Sequence, residues 1–182
     1  LFRLEAIGHS PGVFDLEKLD WLNFEYLKAR TPVQLAADLR EFLALEGRLL
    51  PGDETWQAKM VQVFQERARN LRELADSCAY FVDEEIVYQE KAARKHLTEE
   101  SVALLAELEV QLAALTEWTP DVLEMSFLDL VQRREIKLGQ LAQPVRVAMT
   151  GGTVSPGIFD VLEILGRERS MARLRRAAAY RA

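Results

Sequence analysis

The residues best suited to chemistry stand in the forty positions from Lys137 to Arg176, where Gly139, Pro144, Gly151, Gly152, Pro156, Gly157 and Gly166 are interleaved with arginines. Glycine carries no Cβ and accepts positive φ, so several in one stretch describe a surface that another backbone can approach closely. Ser155-Pro156-Gly157-Ile158 reads as a helix start, with free N–H donors near Gly157 and Ile158 beside the close-approach positions Gly151 and Gly152. Arg146, Arg167, Arg169, Arg173, Arg175 and Arg176 are candidate phosphate contacts. The plainer alternatives are an ordinary Ser-Pro helix start and arginines that complement helix dipoles.

One further arginine interrupts a pattern. The apolar stripe Trp56, Met60, Val63/Phe64, Leu71 calls for an apolar residue at position 67, and Arg67 stands there. It either packs its stem and keeps its head in water or offers its donor-only guanidinium to a ligand. No catalytic constellation accompanies it. Glu84 and Glu85 are adjacent and do not share a helix face, so they read as a solvated junction. His9 and His96 have no partners in sequence and are expected at the surface or at caps, and Cys78 reads as a small core residue. One cysteine excludes an internal disulfide framework, and with two histidines it leaves no zinc-ligand set.

The 182 residues suffice for one or two domains with real cores. The net charge of −6 conceals an asymmetry: Arg133 to Ala182 hold ten basic against four acidic residues, and the preceding 132 hold 13 against 25. An acidic protein with a concentrated basic end suits a polyanion contacted locally. No apolar run approaches the roughly 20 residues that span a bilayer, and no signal-peptide pattern opens the chain, so no membrane and a cytoplasmic address are expected. The chain starts at Leu1, and LFRLEAIGHSP reads like the tail of a helix entered midway, so a piece of a longer protein is expected.

Helical periodicity supplies the elements that must position these residues. Asp15 caps a helix through about Lys28 with Leu16, Leu19, Leu22 and Tyr26 on one side. Thr31-Pro32-Val33-Gln34 is a capping box opening a helix that buries Leu35, Leu39, Phe42 and Leu43 and stops at Gly47. Asp53 caps the next helix, and Phe81 to Glu90 breaks the pattern. Thr98 and Thr119-Pro120 open two more, burying Leu104, Leu105, Leu108, Leu112 and Leu115, then Leu123, Phe127, Leu130 and Val131. A helix from about Leu138 is expected to be interrupted or kinked at Pro144. Ser155-Pro156 starts another that Gly166 ends, and a basic helix closes the chain. The expected fold is all-α, two small helical domains in series over residues 1–85 and 86–182.

FDLEKLDWLNFEYLK (Phe14 to Lys28), KLGQLAQPVRVAMTGG and SPGIFDVLEILGRER resemble, in that order, segments of bacterial glutamyl-tRNA synthetases. The resemblance covers essentially the whole chain as that family's C-terminal anticodon-binding region, a helical cage of class I synthetases. It implies a partner, tRNAGlu, and places Arg67 where tRNAGlu-selective members hold an arginine against the third anticodon base; Arg69 is the register alternative. It implies anticodon contacts at Ser155, Pro156 and Ile158, and tRNA backbone contacts at Arg146, Gly151, Gly152, Arg173 and Arg176. Departures are Phe24, where the family often has a small residue, and Leu128, where some members carry an anticodon-touching arginine. The ATP-binding H-x-G-H signature and the lysine-rich catalytic loop are absent from this sequence. This stretch is therefore expected to be non-catalytic and without cofactor, ATP and magnesium belonging to the full-length enzyme, which is expected to be a monomer. The rival readings are the cage of a class I lysyl-tRNA synthetase and a helical protein-interaction module.

Overall fold

Strong local start signals recur along this chain, and helices begin where they stand, except that the last begins at Ile158 with Gly157 as its cap and not at Ser155-Pro156. In the structure, a computed structural model that describes residues 15–180, Asp15 accepts from the N–H groups of Glu17 and Lys18 and opens α1 (Leu16–Ala29). Thr31 and Gln34 form the reciprocal capping box of α2 (Pro32–Leu45). Asp53 caps α3 (Glu54–Gln62) at 2.8 Å, and Asn70 caps α4 (Leu71–Val82) at 2.9 Å. After α5 (Glu90–His96), Thr98 and Thr119 cap α6 (Glu99–Ala113) and α7 (Pro120–Arg133). Each such cap satisfies an otherwise orphaned N–H and contributes about 1 kcal/mol.

The stops are equally local. Gly47, at φ +69°, ends α2 with its N–H on Ala44 and the Arg48 N–H on Leu43, the two bonds of a Schellman turn. α8 (Leu138–Thr150) runs unbroken through the buried Pro144, contrary to the expected interruption. The ring removes one ladder bond at the middle of the helix, and packing of Leu141, Val145, Val147, Ala148 and Met149 outweighs that loss. α9 (Ile158–Ala178) is two helical limbs joined at Gly166, whose φ +76° and ψ 167° leave the helical region. No strand occurs among the described residues.

α2 packs on α3 and α4, and α9 lies against α6, α7 and α8 and reaches α3. Residues 83–89, helix-free, carry the exposed Glu84 and Glu85. A single apolar cluster runs from Leu27 to Ala177 across that segment. Polar ties cross as well: the Trp56 indole N–H donates to the Ile164 carbonyl at 2.7 Å, and Lys59 pairs with Glu163 at 2.6 Å. The stripe expected on α1 is not buried among the described residues. Leu16, Leu19, Leu22 and Tyr26 are exposed, and only Leu27 turns into the core. Leu1 to Phe14, including His9, lie outside the described residues, while Cys78 is buried and His96 half-buried at the end of α5.

Candidate nucleic-acid interface

Arg67 follows the end of α3. The helix stops at Gln62, and a turn with the Arg67 N–H on Phe64 at 2.8 Å re-aims the chain. Phe64 and Ala68 take the buried positions, and Arg67 projects outward. That is why an arginine can stand where the stripe, continued as a helix, demands an apolar residue. Its guanidinium donates to the Ser155 carbonyl at 3.3 Å, 88 positions along the chain, and it has no carboxylate partner among the described residues. Arg69 is different. Its guanidinium pairs with Glu73 at 3.0 Å, and its backbone N–H bonds that same carboxylate and holds the Glu73 pKa below its ordinary value.

Ser155 is held from a second side. Arg146 Nε donates to its hydroxyl at 2.8 Å, and the hydroxyl donates in turn to the Pro156 carbonyl at 2.9 Å. Burial lowers the Arg146 pKa. Arg67, Ser155 and Pro156 line one cavity of about 370 Å³ with Asp76, Ser77 and Tyr80 of α4, Gln89, Thr150 and residues 152–154. Tyr80 places its ring against Phe64 and Phe81, while its buried hydroxyl has no hydrogen-bond partner. Burial raises the Tyr80 pKa, against an opposing pull from Arg67, Arg146 and Arg173. The cavity therefore combines a cationic rim, an unpaired carboxylate and an unsatisfied hydroxyl around a space of ligand size.

Other expected contacts fall elsewhere. Ile158 is 5% exposed and packs into the core. Gly151 and Gly152 are buried, and what approaches them belongs to the chain itself, backbone at Gly151 and a side chain at Gly152. Gly151 sits at φ +77°, its carbonyl accepts from the Gln89 N–H at 2.8 Å, and a Cβ there would lie 2.3 Å from the Val87 carbonyl oxygen. A Cβ on Gly152 would meet the Gln89 amide at 3.0 Å. These glycines shape the loop from within, and Gly152 also lines the cavity.

Most of the basic end is also internal. Arg173 is 6% exposed and donates to the carbonyls of Met149, Tyr80 and Asp83 at 2.7, 2.8 and 3.0 Å. Burial pulls its pKa down to about 10, so it stays cationic at neutral pH. A buried guanidinium occupied by three carbonyls cannot reach a phosphate, and the expectation for Arg173 is corrected accordingly. Arg169 donates to the Phe81 carbonyl at 2.7 Å, and Arg167 to those of Ala113 and Leu115 at the end of α6. These cations satisfy C-terminal carbonyls of distant helices. Arg175 pairs with Glu109, and the exposed Arg176 stacks over Tyr88 at 5.5 Å.

The cavity thus lies between the α3–α4 turn and the loop before α9. The model of a family described as an anticodon binding domain matches residues 34–178, spanning both of those elements. The chain belongs to the anticodon binding domain family. Glutamate–tRNA ligases of Thermodesulfovibrio yellowstonii and Geobacter sulfurreducens are 44% and 42% identical over 178 and 179 residues, which are 96% and 98% of this chain. The chain spans 38% of the length of each of these relatives. A crystal structure of a glutamate tRNA ligase from Elizabethkingia meningosepticum in complex with its amino acid shares the fold, with a TM-score of 0.83 at 22% identity over 97% of this chain and 35% of its own.

Within this family of anticodon binders, Asp76, Ser77, Tyr80, Gln89 and Thr153 join the cavity without having been singled out in the sequence. Asp76, Ser77 and Tyr80 form the polar side of a helix that buries Leu74, Ala75, Cys78 and Phe81. A polar helix face is the ordinary pattern and carries no signal of its own.

Proposed function

We propose that this chain is the anticodon-gripping part of a glutamate–tRNA ligase and that its cavity takes the third anticodon base of tRNAGlu, with Arg67 as the reader. The observation that carries the reading is the meeting of Arg67 with Ser155 at one cavity, from 88 positions apart, inside the stretch matched by the anticodon binding domain. Glutamate anticodons end in C and glutamine anticodons in G. Cytosine presents O2 and N3 as acceptors on its pairing edge, whereas guanine presents two donors there. Arg67 has donors only, and at 3.3 Å its bond to Ser155 is long and exposed, readily exchanged for one to a base. RNA readout of this kind takes splayed single-stranded bases on their pairing edges.

The ligation itself, joining glutamate to tRNAGlu with ATP and magnesium, would belong to the rest of a longer protein, a cytoplasmic monomer. No helix among the described residues is long and apolar enough to cross a membrane.

The test is the affinity of wild type and Arg67→Gln for tRNAGlu carrying C or G at the third anticodon base. Facing guanine, Arg67 leaves donors unpaired at a cost of about 1–3 kcal/mol, or about tenfold to a hundredfold in binding. Glutamine offers both a donor and an acceptor, so the substitution narrows that difference. A preference that survives it intact removes Arg67 as the reader. Absence of salt-dependent tRNA binding would return the chain to a helical protein-interaction module.

A further inference from the structure

The carboxylate of Asp76 has no hydrogen bond or ion pair among the described residues, although it lines the same cavity as the cationic Arg67. It is exposed on α4 one helical turn before Tyr80, whose buried hydroxyl also lacks a partner. An unneutralised carboxylate at a surface meant for a polyanion repels phosphates and lowers affinity unless it accepts a hydrogen bond from the ligand. Asp76 and Arg67 make no pair with each other and line the same cavity.

We propose that Asp76 is a second specificity residue, accepting from the exocyclic N4 amino group of a cytosine whose N3 and O2 are read by Arg67. This rests on the anticodon-base reading above. The pairing edge of cytosine runs donor, acceptor, acceptor, and a protein must answer with acceptor, donor, donor. Arg67 supplies the two donors and Asp76 the acceptor. Uracil turns its O4 acceptor toward the carboxylate, and two acceptors face each other unpaired. Uracil also turns its N3–H donor toward a donor of Arg67, so both residues act against it, whereas loss of the amino group alone is felt only by Asp76.

The experiment uses the full 182-residue chain and anticodon stem-loops of tRNAGlu whose third anticodon base is cytosine, uracil or pyrimidin-2-one. Pyrimidin-2-one keeps N3 and O2 and lacks only the amino group. Wild type is expected to bind cytosine about tenfold to a hundredfold more tightly than either analogue, as for loss of a hydrogen bond to a charged group. Asp76→Ala should bind cytosine and pyrimidin-2-one alike. Asp76→Asn should recover the preference for cytosine over pyrimidin-2-one through its carbonyl, while its amide donor narrows the gap to uracil. Asp76 is exposed, and circular dichroism of both variants should match wild type. A cytosine preference over pyrimidin-2-one that persists in Asp76→Ala overturns the proposal and leaves another acceptor, such as the Ser155 carbonyl, as the reader. No such preference in wild type overturns it too. If no stem-loop binds at all, the anticodon-base reading itself falls, and this proposal with it. Loss of C-over-G selectivity on Arg67→Gln, with the amino-group preference absent from wild type, would sink Asp76 alone.

Discussion

Arg67 and Arg146 hold the same residue from opposite sides: Arg67 donates to the carbonyl of Ser155, and Arg146 to its hydroxyl at 2.8 Å. The loop before α9 is thereby fixed to both α8 and the α3–α4 turn. Ser155→Ala removes the acceptor of a half-buried guanidinium, so it should lower stability by about 1–2 kcal/mol in urea unfolding and weaken tRNA binding. Equal stability of variant and wild type would mean the hydroxyl plays no part in placing the loop.

Arg173 behaves as an internal strut. Arg173→Met should destabilise the protein by about 3 kcal/mol or more, because it strands buried carbonyls at the ends of both α4 and α8. Arg176→Met, at an exposed stack over Tyr88, should stay within about 0.5 kcal/mol of wild type. Thermal unfolding of the two variants side by side checks the contrast.

Arg176 is the test of backbone electrostatics that Arg173 cannot be. Arg176→Glu should lower affinity for all tRNAs alike and reduce the slope of log affinity against log salt by roughly 0.7, the single-strand figure for one phosphate contact. Binding as tight as wild type at low salt would make Arg176 a helix-end charge only.

The two glycines of α8 and its cap should respond oppositely. Gly151→Ala meets both a positive φ and the Val87 carbonyl, and should cost at least about 2 kcal/mol. Gly139→Ala, in the first turn of α8 with no atom near the new Cβ, should be neutral or stabilising by up to about 1 kcal/mol. Denaturant midpoints at equal m-value decide.

Glu73 gives a pH signature. The Arg69 backbone N–H, and then its guanidinium, hold the Glu73 pKa below its ordinary value in the folded state. Its contribution is therefore present above the unfolded pKa and lost as pH falls through the folded one. The site is exposed and screened, so Glu73→Ala should cost no more than about 1 kcal/mol at pH 7. The part due to the charge should vanish on acidification.

What the sequence revealed was local. Thr31, Asp53, Thr98 and Thr119 name their own helices because a cap acts on N–H groups two or three positions away. The role of Arg173 was illegible because its acceptors lie up to 93 residues distant, so a structural cation reads like a surface one. Gly151 and Gly152 pointed to a close approach but not to what makes it within the chain, the Val87 backbone at one and the Gln89 side chain at the other. Arg67 was conspicuous as a break in a stripe, yet its meeting with Ser155 depends on packing between α3 and α9 that no spacing encodes. The α1 stripe shows the converse, a periodicity that is plain in sequence and has no partner among the described residues.

The bond from Trp56 to Ile164 has a kinetic consequence. Trp56 lies on α3, just ahead of the turn that carries Arg67, and Ile164 lies on the first limb of α9, just after the loop that carries Ser155. The two jaws of the cavity are pinned together at their roots, and Lys59 and Glu163 rivet them again beside that point. A jaw tied at its root has a short closing step at most. Capture of a base should therefore be governed by how fast an unstacked nucleotide arrives in the right orientation, with little ordering of the protein charged against the affinity.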